Sequence, residues 1–175
     1  MSEIYSAELR IPKERVAILI GKKGSTKRSI EKKSKTKITV SKEGDVIIYS
    51  PDNINNYTTS NVVRAIGRGF NPDIALLLLD ENNTLEIIPM NEFTRKTKKD
   101  MIRVKARLIG RQGKARMMLE ILTNTHISVY GKTTAIIGQV YDVLLAKHAV
   151  EKLFQGSPHG NVYKYIDSQK KSQYL

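Results

Sequence analysis

The chain has 175 residues, 40% of them hydrophobic, which is enough for one large domain or two small ones and too much for global disorder. The absence of cysteine excludes disulfides, thiolate zinc sites and thiol nucleophiles. The longest apolar run, 74–79, is far short of the roughly 20 residues of a membrane span, and the N-terminus has no apolar leader, so a soluble cytoplasmic protein with no membrane partner is expected.

Residues 3–11 alternate, with Tyr5, Ala7, Leu9 and Ile11 apolar, and read as a half-buried strand. Pro12 suits the first turn of a helix whose apolar face is Val16, Ala17 and Ile20. Gly21-Lys22-Lys23-Gly24 interrupts it, and Ser25 is placed to cap a second helix reaching about Ser34. Strands are expected over 37–41 and 46–49 with a turn at Glu43-Gly44-Asp45, then a helix over 54–66 closed by Gly67. Asn71-Pro72-Asp73 starts a short apolar helix through Leu79, expected to be inserted between two units and broken at Asp80. Leu85 and Ile87 lie in a strand ending near Pro89. A basic helix over 98–109 then leads into Gly110-Arg111-Gln112-Gly113, and a second helix covers 114–122. Ile127 and Val129 form a strand, 134–137 another, and a long helix over 139–154 buries Val143, Leu144, Val150 and Leu153.

The second half repeats the first at a fixed offset of 89 residues. Ile20, Gly21, Gly24, Ile30, Glu31, Thr36, Ile38, Val40, Ile47 and Ile48 meet Ile109, Gly110, Gly113, Leu119, Glu120, Thr125, Ile127, Val129, Ile136 and Ile137 without a gap. Charge follows the same division. Lys and Arg outnumber Asp and Glu by 30 to 17, and the net +13 is distributed as +6 over residues 1–67, −4 over 68–94 and +11 over 95–175. Two basic blocks flanking an acidic connector suggest two polyanion-binding units.

Each GxxG sequence joins two helices, where glycine allows close approach of a phosphate and a helix N-terminus favours the anion. Lys22, Lys23 and Arg111 add charge and Gln112 a neutral donor. A nucleotide-binding P-loop needs four residues between its glycines and then Gly-Lys-Ser/Thr, and a dinucleotide fingerprint needs a preceding strand, so neither fits. The order strand, helix, GxxG, helix, strand, strand, helix resembles the KH module, whose loop clamps the backbone of about four nucleotides. The fold class is therefore α+β, with two type I KH domains of order βααββα. Each is expected to pack a three-stranded sheet against three helices. The expected boundaries are residues 1–69 and 84–155, with a connector over 70–83 and a C-terminal extension over 156–175.

The two glycine loops, the Asn71-Pro72-Asp73…Leu insert and the stretch Gly156-Ser157-Pro158-His159-Gly160-Asn161-Val162-Tyr163-Lys164-Tyr165 together resemble the archaeal members of a tandem-KH ribosome-biogenesis family. Its eukaryotic relatives assist the nuclease that matures the 3′ end of small-subunit rRNA. The resemblance implies binding of single-stranded rRNA near that end and contact with an initiation-factor-2 alpha subunit or other assembly factors. Eukaryotic relatives tend to lose the first glycine loop, whereas Gly21 and Gly24 are both present here.

The expected RNA-binding set is Gly21, Lys22, Lys23, Gly24 and Lys27 in the first unit. In the second it is Arg103, Arg107, Gly110, Arg111, Gln112, Gly113, Lys114 and Arg116, with Lys99, Arg103 and Arg107 at i, i+4 and i+8 on one helical stripe leading to the loop. Ile20, Ile30 and Ile38, with Ile109, Leu119 and Ile127, are expected to floor an apolar groove for bases, a role that overlaps with core packing. Lys32, Lys33, Lys35 and Lys37 read as a solvated helix end, and Tyr163 and Tyr165 either stack on bases or, the favoured reading, pack on the second unit. His126 and His148 lack metal-ligand spacing, and His159 reads as structural. No cofactor, metal or catalytic constellation is expected, and the chain is expected to be a monomer. Two other readings are a transcription-elongation factor with paired KH units, which the closing helices oppose, and a KH-fold scaffold that no longer binds RNA, which the intact glycines oppose.

Overall fold

The computed structural model describes residues 4–95 and 97–173, which fall into two compact units, Met1–Glu81 and Asn82–Leu175. In the first unit the elements are β1 (Tyr5–Arg10), α1 (Val16–Ile20), α2 (Ser25–Ser34), β2 (Lys37–Val40), β3 (Asp45–Ser50) and α3 (Asn53–Gly67). A short α4 (Pro72–Ala75) follows and tightens into a 3-10 turn over Leu76–Leu79. The second unit contains β4 (Asn83–Pro89), α5 (Lys98–Ile109), α6 (Lys114–Thr123), β5 (His126–Tyr130), β6 (Thr133–Gln139), α7 (Val140–Phe154) and α8 (His159–Gln173).

Each sheet has three strands with the last in the middle, β1-β3-β2 and β4-β6-β5, and every pairing is antiparallel. Alternation decides which face meets the helices. Val46, Ile48 and Ser50 are buried while Asp45 and Tyr49 are exposed, so β3 turns its even-numbered residues inward. Leu19, Ile30, Ile38, Ile48, Val63 and Ile66 complete the first core, all at or below 3% exposure. The second core gathers Met90, Val104, Leu108, Leu119, Ile127, Ile136 and Leu153.

Local sequence accounts for the helix ends. Asp52 caps α3 by accepting from Ile54 N at 2.8 Å, Asn71 caps α4 from Asp73 N at 3.0 Å, and Thr97 caps α5 from Asp100 N at 3.1 Å. At the other end, α3 and α7 both close with a left-handed glycine and a six-to-one bond, Gly69 with Phe70 N→Ala65 O at 3.1 Å and Gly156 with Ser157 N→Lys152 O at 3.0 Å.

Two segments and one core position differ from the sequence reading: Leu144, expected to be buried on α7, is exposed, and Leu145 takes the inward place. The insert at 72–79 is one helical turn plus a 3-10 turn, and it packs on α3 of the first unit. The stretch after Gly156 forms a 15-residue helix, α8, which lies against α6 and α7 and buries Val162 and Ile166. Tyr163 and Tyr165, on the same helix, are partly buried against the second core, Tyr165 beneath the Lys152 ammonium at 4.7 Å.

Candidate nucleic-acid interface

Both glycine loops adopt one backbone path. Gly21, Lys23 and Gly24 have φ/ψ of 74/175°, 51/30° and 74/16°, and Gly110, Gln112 and Gly113 have 72/179°, 54/28° and 75/8°. The two paths differ by no more than 8° at any of these angles. Lys23 and Gln112 occupy the left-handed region without being glycine, which costs about 1–2 kcal/mol each. Strain repeated at the same place in both units fits a loop held for a purpose.

The two glycines of each loop do different work. A Cβ on Gly21 would sit 2.2 Å from Thr26 Oγ1, and one on Gly110 would sit 2.6 Å from Ala115 Cβ and 2.8 Å from Ala115 N. The first glycine therefore lets the incoming helix pass the start of the outgoing one. Around Gly113, in contrast, a Cβ would meet nothing within 4 Å, and around Gly24 only Arg28 Nη1 at 3.1 Å. The bare surface where a sugar–phosphate could reach main chain is thus at the second glycine. Lys22, Lys23, Arg111, Gln112 and Lys114 stand exposed beside it.

The remaining expected contacts divide. Arg103 is exposed but paired, with Nη2 2.7 Å from Asp100 Oδ1. The Asp100 carboxyl is held below its usual range by the Arg95 amide first and by Arg103 next. Arg107 turns inward, donating from Nε to Leu153 O at 3.0 Å and from Nη2 to Ser157 O at 2.6 Å, while its own carbonyl lies 2.7 Å from His159 Nε2. Instead of extending a phosphate-tracking stripe, Arg107 braces the end of α7. The first unit has the same brace, Arg15 to Ile66 O at 2.7 Å and Phe70 O at 2.8 Å. The two arginines are 92 residues apart, so an alignment at 89 hides their equivalence.

Lys27 and Arg116 serve the strand edge. β2 and β5 lie at sheet edges and need partners for their outward peptide groups. Glu31 accepts from Ile38 N at 2.8 Å while Lys27 donates to Ile38 O at 2.9 Å; Glu120 accepts from Ile127 N at 2.8 Å while Arg116 donates to Ile127 O at 3.2 Å. Burial pushes the Glu31 carboxyl up, but the Ile38 amide and Lys27 together pull it below its ordinary value. These cation–carboxylate latches close the edge that would form one wall of a base-binding groove.

Of the six groove positions, Ile30, Ile38, Leu119 and Ile127 are core residues at or below 3% exposure. They have no surface to offer a base, and of the six only Ile20 and Ile109, half-buried at the entry to the loops, remain partly accessible. The sequence reading missed the exposed apolar residues Met117, Met118 and Ile121 on α6, the last 74% exposed. Apolar residues surround α6 in the sequence, and only the geometry shows which of them face outward. Among the described residues no group of three His, Asp or Glu could hold a metal ion, and no helix is long and apolar enough to cross a membrane.

Two all-antiparallel βααββα units, each with a GxxG turn at the same backbone angles, define a tandem type I KH protein. Known sequences agree: residues 6–68 match the KH domain and residues 84–171 match the eukaryotic type KH-domain (KH-domain type I). The chain is similar to the KH domain-containing protein MJ0443 of Methanocaldococcus jannaschii, 42% identical over 93% of this chain and 73% of that protein. It is also 31% identical to the pre-rRNA-processing protein PNO1 of Candida albicans over 69% of this chain, which spans about half (48%) of that protein. Among solved structures, the a/eIF2alpha–aDim2p–rRNA complex from Pyrococcus horikoshii contains a chain superposing with a TM-score of 0.90 at 45% identity, covering 97% of this chain and 96% of that one. This protein belongs to the Dim2/PNO1 family of tandem KH proteins.

Proposed function

We propose that this protein is a cytoplasmic, non-enzymatic assembly factor that binds single-stranded rRNA near the 3′ end of the small-subunit RNA. The observation that carries the proposal is the pair of loops with one backbone path, the second glycine facing open space in the second unit and only the Arg28 guanidinium in the first, each beside exposed Lys or Arg. The contacts assigned to RNA are Gly21, Lys22, Lys23 and Gly24 in the first unit and Gly110, Arg111, Gln112, Gly113 and Lys114 in the second. Lys27, Arg116, Arg103 and Arg107 act through the frame that holds the loops.

Each unit clamps about four nucleotides and leaves their base edges to be read, so duplex RNA binds poorly. Joining two units raises apparent affinity by roughly 10²–10⁴ where the RNA can reach both. The relatives point to the target: one is named for pre-rRNA processing, and another is held in a complex with rRNA and a/eIF2alpha. An initiation-factor-2 alpha subunit is accordingly the protein partner in this proposal. The exposed Ile102, Met117, Met118 and Ile121 of the second unit favour such a protein contact in addition to RNA. The closing helices α3 and α7 and the type I strand order argue against the elongation-factor reading.

The test is a titration of the full chain with a single-stranded oligomer of the small-subunit rRNA 3′ end, its scrambled sequence, and the same segment in a duplex. The expected order of affinity is native sequence, scrambled, duplex. Equal affinity for duplex and single strand would refute the reading.

A further inference from the structure

The two units share their backbone but differ at the C-terminal end of the helix after the glycine loop. In the first unit, Arg28, Lys32, Lys35 and Lys37 line a cleft of about 510 Å³ together with Tyr49 and Pro51. At the same offset of 89, the second unit has Met117, Ile121, Asn124, His126, Gly138 and Val140. The fold does not require four cations there, because its other copy does without them. Nor are three of them consumed internally: among the described residues no ion pair engages Arg28, Lys32 or Lys35, while Lys37 lies within the field of Glu31.

Lys35 carries the strongest indication. It ends α2 in the left-handed conformation, φ 56° and ψ 40°, where glycine or asparagine is the favoured residue. Asn124 fills that place in the second unit at φ 54° and ψ 44°. The turn is locked around Lys35 by Ser34 Oγ donating to Ile30 O at 2.7 Å, by the 2.8 Å contact of Ser34 Oγ with Thr36 Oγ1, and by Thr36 N→Glu31 O at 3.2 Å. A charge at the end of a helix dipole would explain Lys32 and Lys33. It does not explain a lysine held where its backbone is strained, nor Arg28 in the body of the helix, nor an aromatic ring beside them. Tyr49, on the open face of the sheet and paired across β2–β3 with Lys37, is 39% exposed.

We propose that this cleft is a second RNA site in the first unit, in which a base stacks on Tyr49 and the adjoining phosphates lie against Arg28, Lys32, Lys35 and Lys37. An aromatic platform amid cations is the arrangement that holds single-stranded nucleic acid without sequence readout. Glu31, the one acidic residue lining the cleft, is engaged by Ile38 N and Lys27, and the cleft adjoins the β2 edge and the helix that follows the glycine loop. The inference rests on RNA binding by the loops and extends the first unit's footprint beyond them.

Lys35→Gly is the decisive variant, because it removes the ammonium while relieving the backbone. Lys32→Ala/Lys35→Gly and Tyr49→Ala are titrated against ten-nucleotide oligouridine, beside wild type and Arg111→Asp/Gln112→Asp. Thermal unfolding of Lys35→Gly should be unchanged or higher, while each of the first two variants should lose about five-fold or more in RNA affinity. The double variant should also lower the log–log salt slope by about 1.4, at roughly 0.7 per phosphate contact. Photocrosslinking of the oligouridine should label Tyr49. Unchanged affinity and slope, with Arg111→Asp/Gln112→Asp still weakened, would overturn the cleft and leave the loops standing. Loss of binding to an oligoglutamate peptide with RNA binding intact would also overturn it and make the cleft a protein site. Failure of wild type to bind RNA at all would remove the loop reading itself.

Discussion

The two KH units are a matched pair in which the frame is shared and the surface is not. The frame includes the GxxG angles, the glutamate–cation latch on the edge strand, the hydroxyl pair Ser34–Thr36 or Thr123–Thr125 at 2.8 Å, and the arginine brace on the last helix. The surface around it is basic with a tyrosine in the first unit and apolar on α6 in the second. One backbone thus offers the same loop twice, and what lies beside each loop differentiates the copies. Residues that repeat at the level of hydrogen bonds belong to the loop's construction, and in the proposed reading those that diverge give the units separate partners.

The comparison can be broken most severely within a loop. Gly110→Ala adds a clash of Cβ with Ala115 to a left-handed backbone and should cost about 2–5 kcal/mol, against about 1–2 for Gly113→Ala, whose Cβ meets open space. Urea unfolding of the full chain reads the difference, and equal losses would mean that the two glycines do the same work. The arginine braces come next. Arg107→Lys and Arg15→Lys remove forked bonds to two carbonyls and should each cost about 1.5–3 kcal/mol. If Arg107→Lys leaves stability intact but weakens RNA binding, Arg107 is a ligand contact after all.

A third comparison sets loop against loop. Arg111→Asp/Gln112→Asp should weaken single-stranded RNA binding about ten-fold or more without loss of stability, since Asp tolerates the left-handed region at 112. Lys22→Asp/Lys23→Asp should do less, because the first unit keeps the cations of its cleft. The smallest effect concerns pH. The Glu31 carboxyl has a folded value below its ordinary one, so its contribution is complete above about pH 4.3, the unfolded value, and is lost as pH falls through the lower folded value. Acid unfolding of wild type should therefore be steeper than that of Glu31→Gln, and identical acid curves would dismiss the latch as a stabilising contact.

Much of this was legible in the chain. The 89-residue repeat located both loops and the strand pairs β2–β3 and β5–β6, and the closing helices were legible from their own apolar spacing, because glycine spacing and hydrophobic periodicity are local properties. The latch was half visible: Lys27 and Glu31 are an i,i+4 pair, but their shared engagement of Ile38 depends on where the strand returns. Arg107 was misplaced because helical periodicity aligns it with Arg103 and says nothing of the end of α7, where it meets the Leu153 carbonyl 46 residues later and, just past the helix, that of Ser157 50 residues later. The last helix was read only as an extension. With Val162 and Ile166 its only fully buried residues among those described, and Tyr163 and Tyr165 half-buried beside them, its fold follows from docking on α6 and α7 more than from its own pattern.

The most direct test of the paired clamp is the response of individual amides to RNA. In the full chain titrated with single-stranded rRNA oligomer, the ¹⁵N–¹H resonances of Gly24 and Gly113 should both shift progressively, with their loop neighbours, while those of Gly131 and Gly156 stay still. If neither Gly24 nor Gly113 responds while RNA is bound, the strand lies elsewhere on the molecule and the clamp is not what holds it.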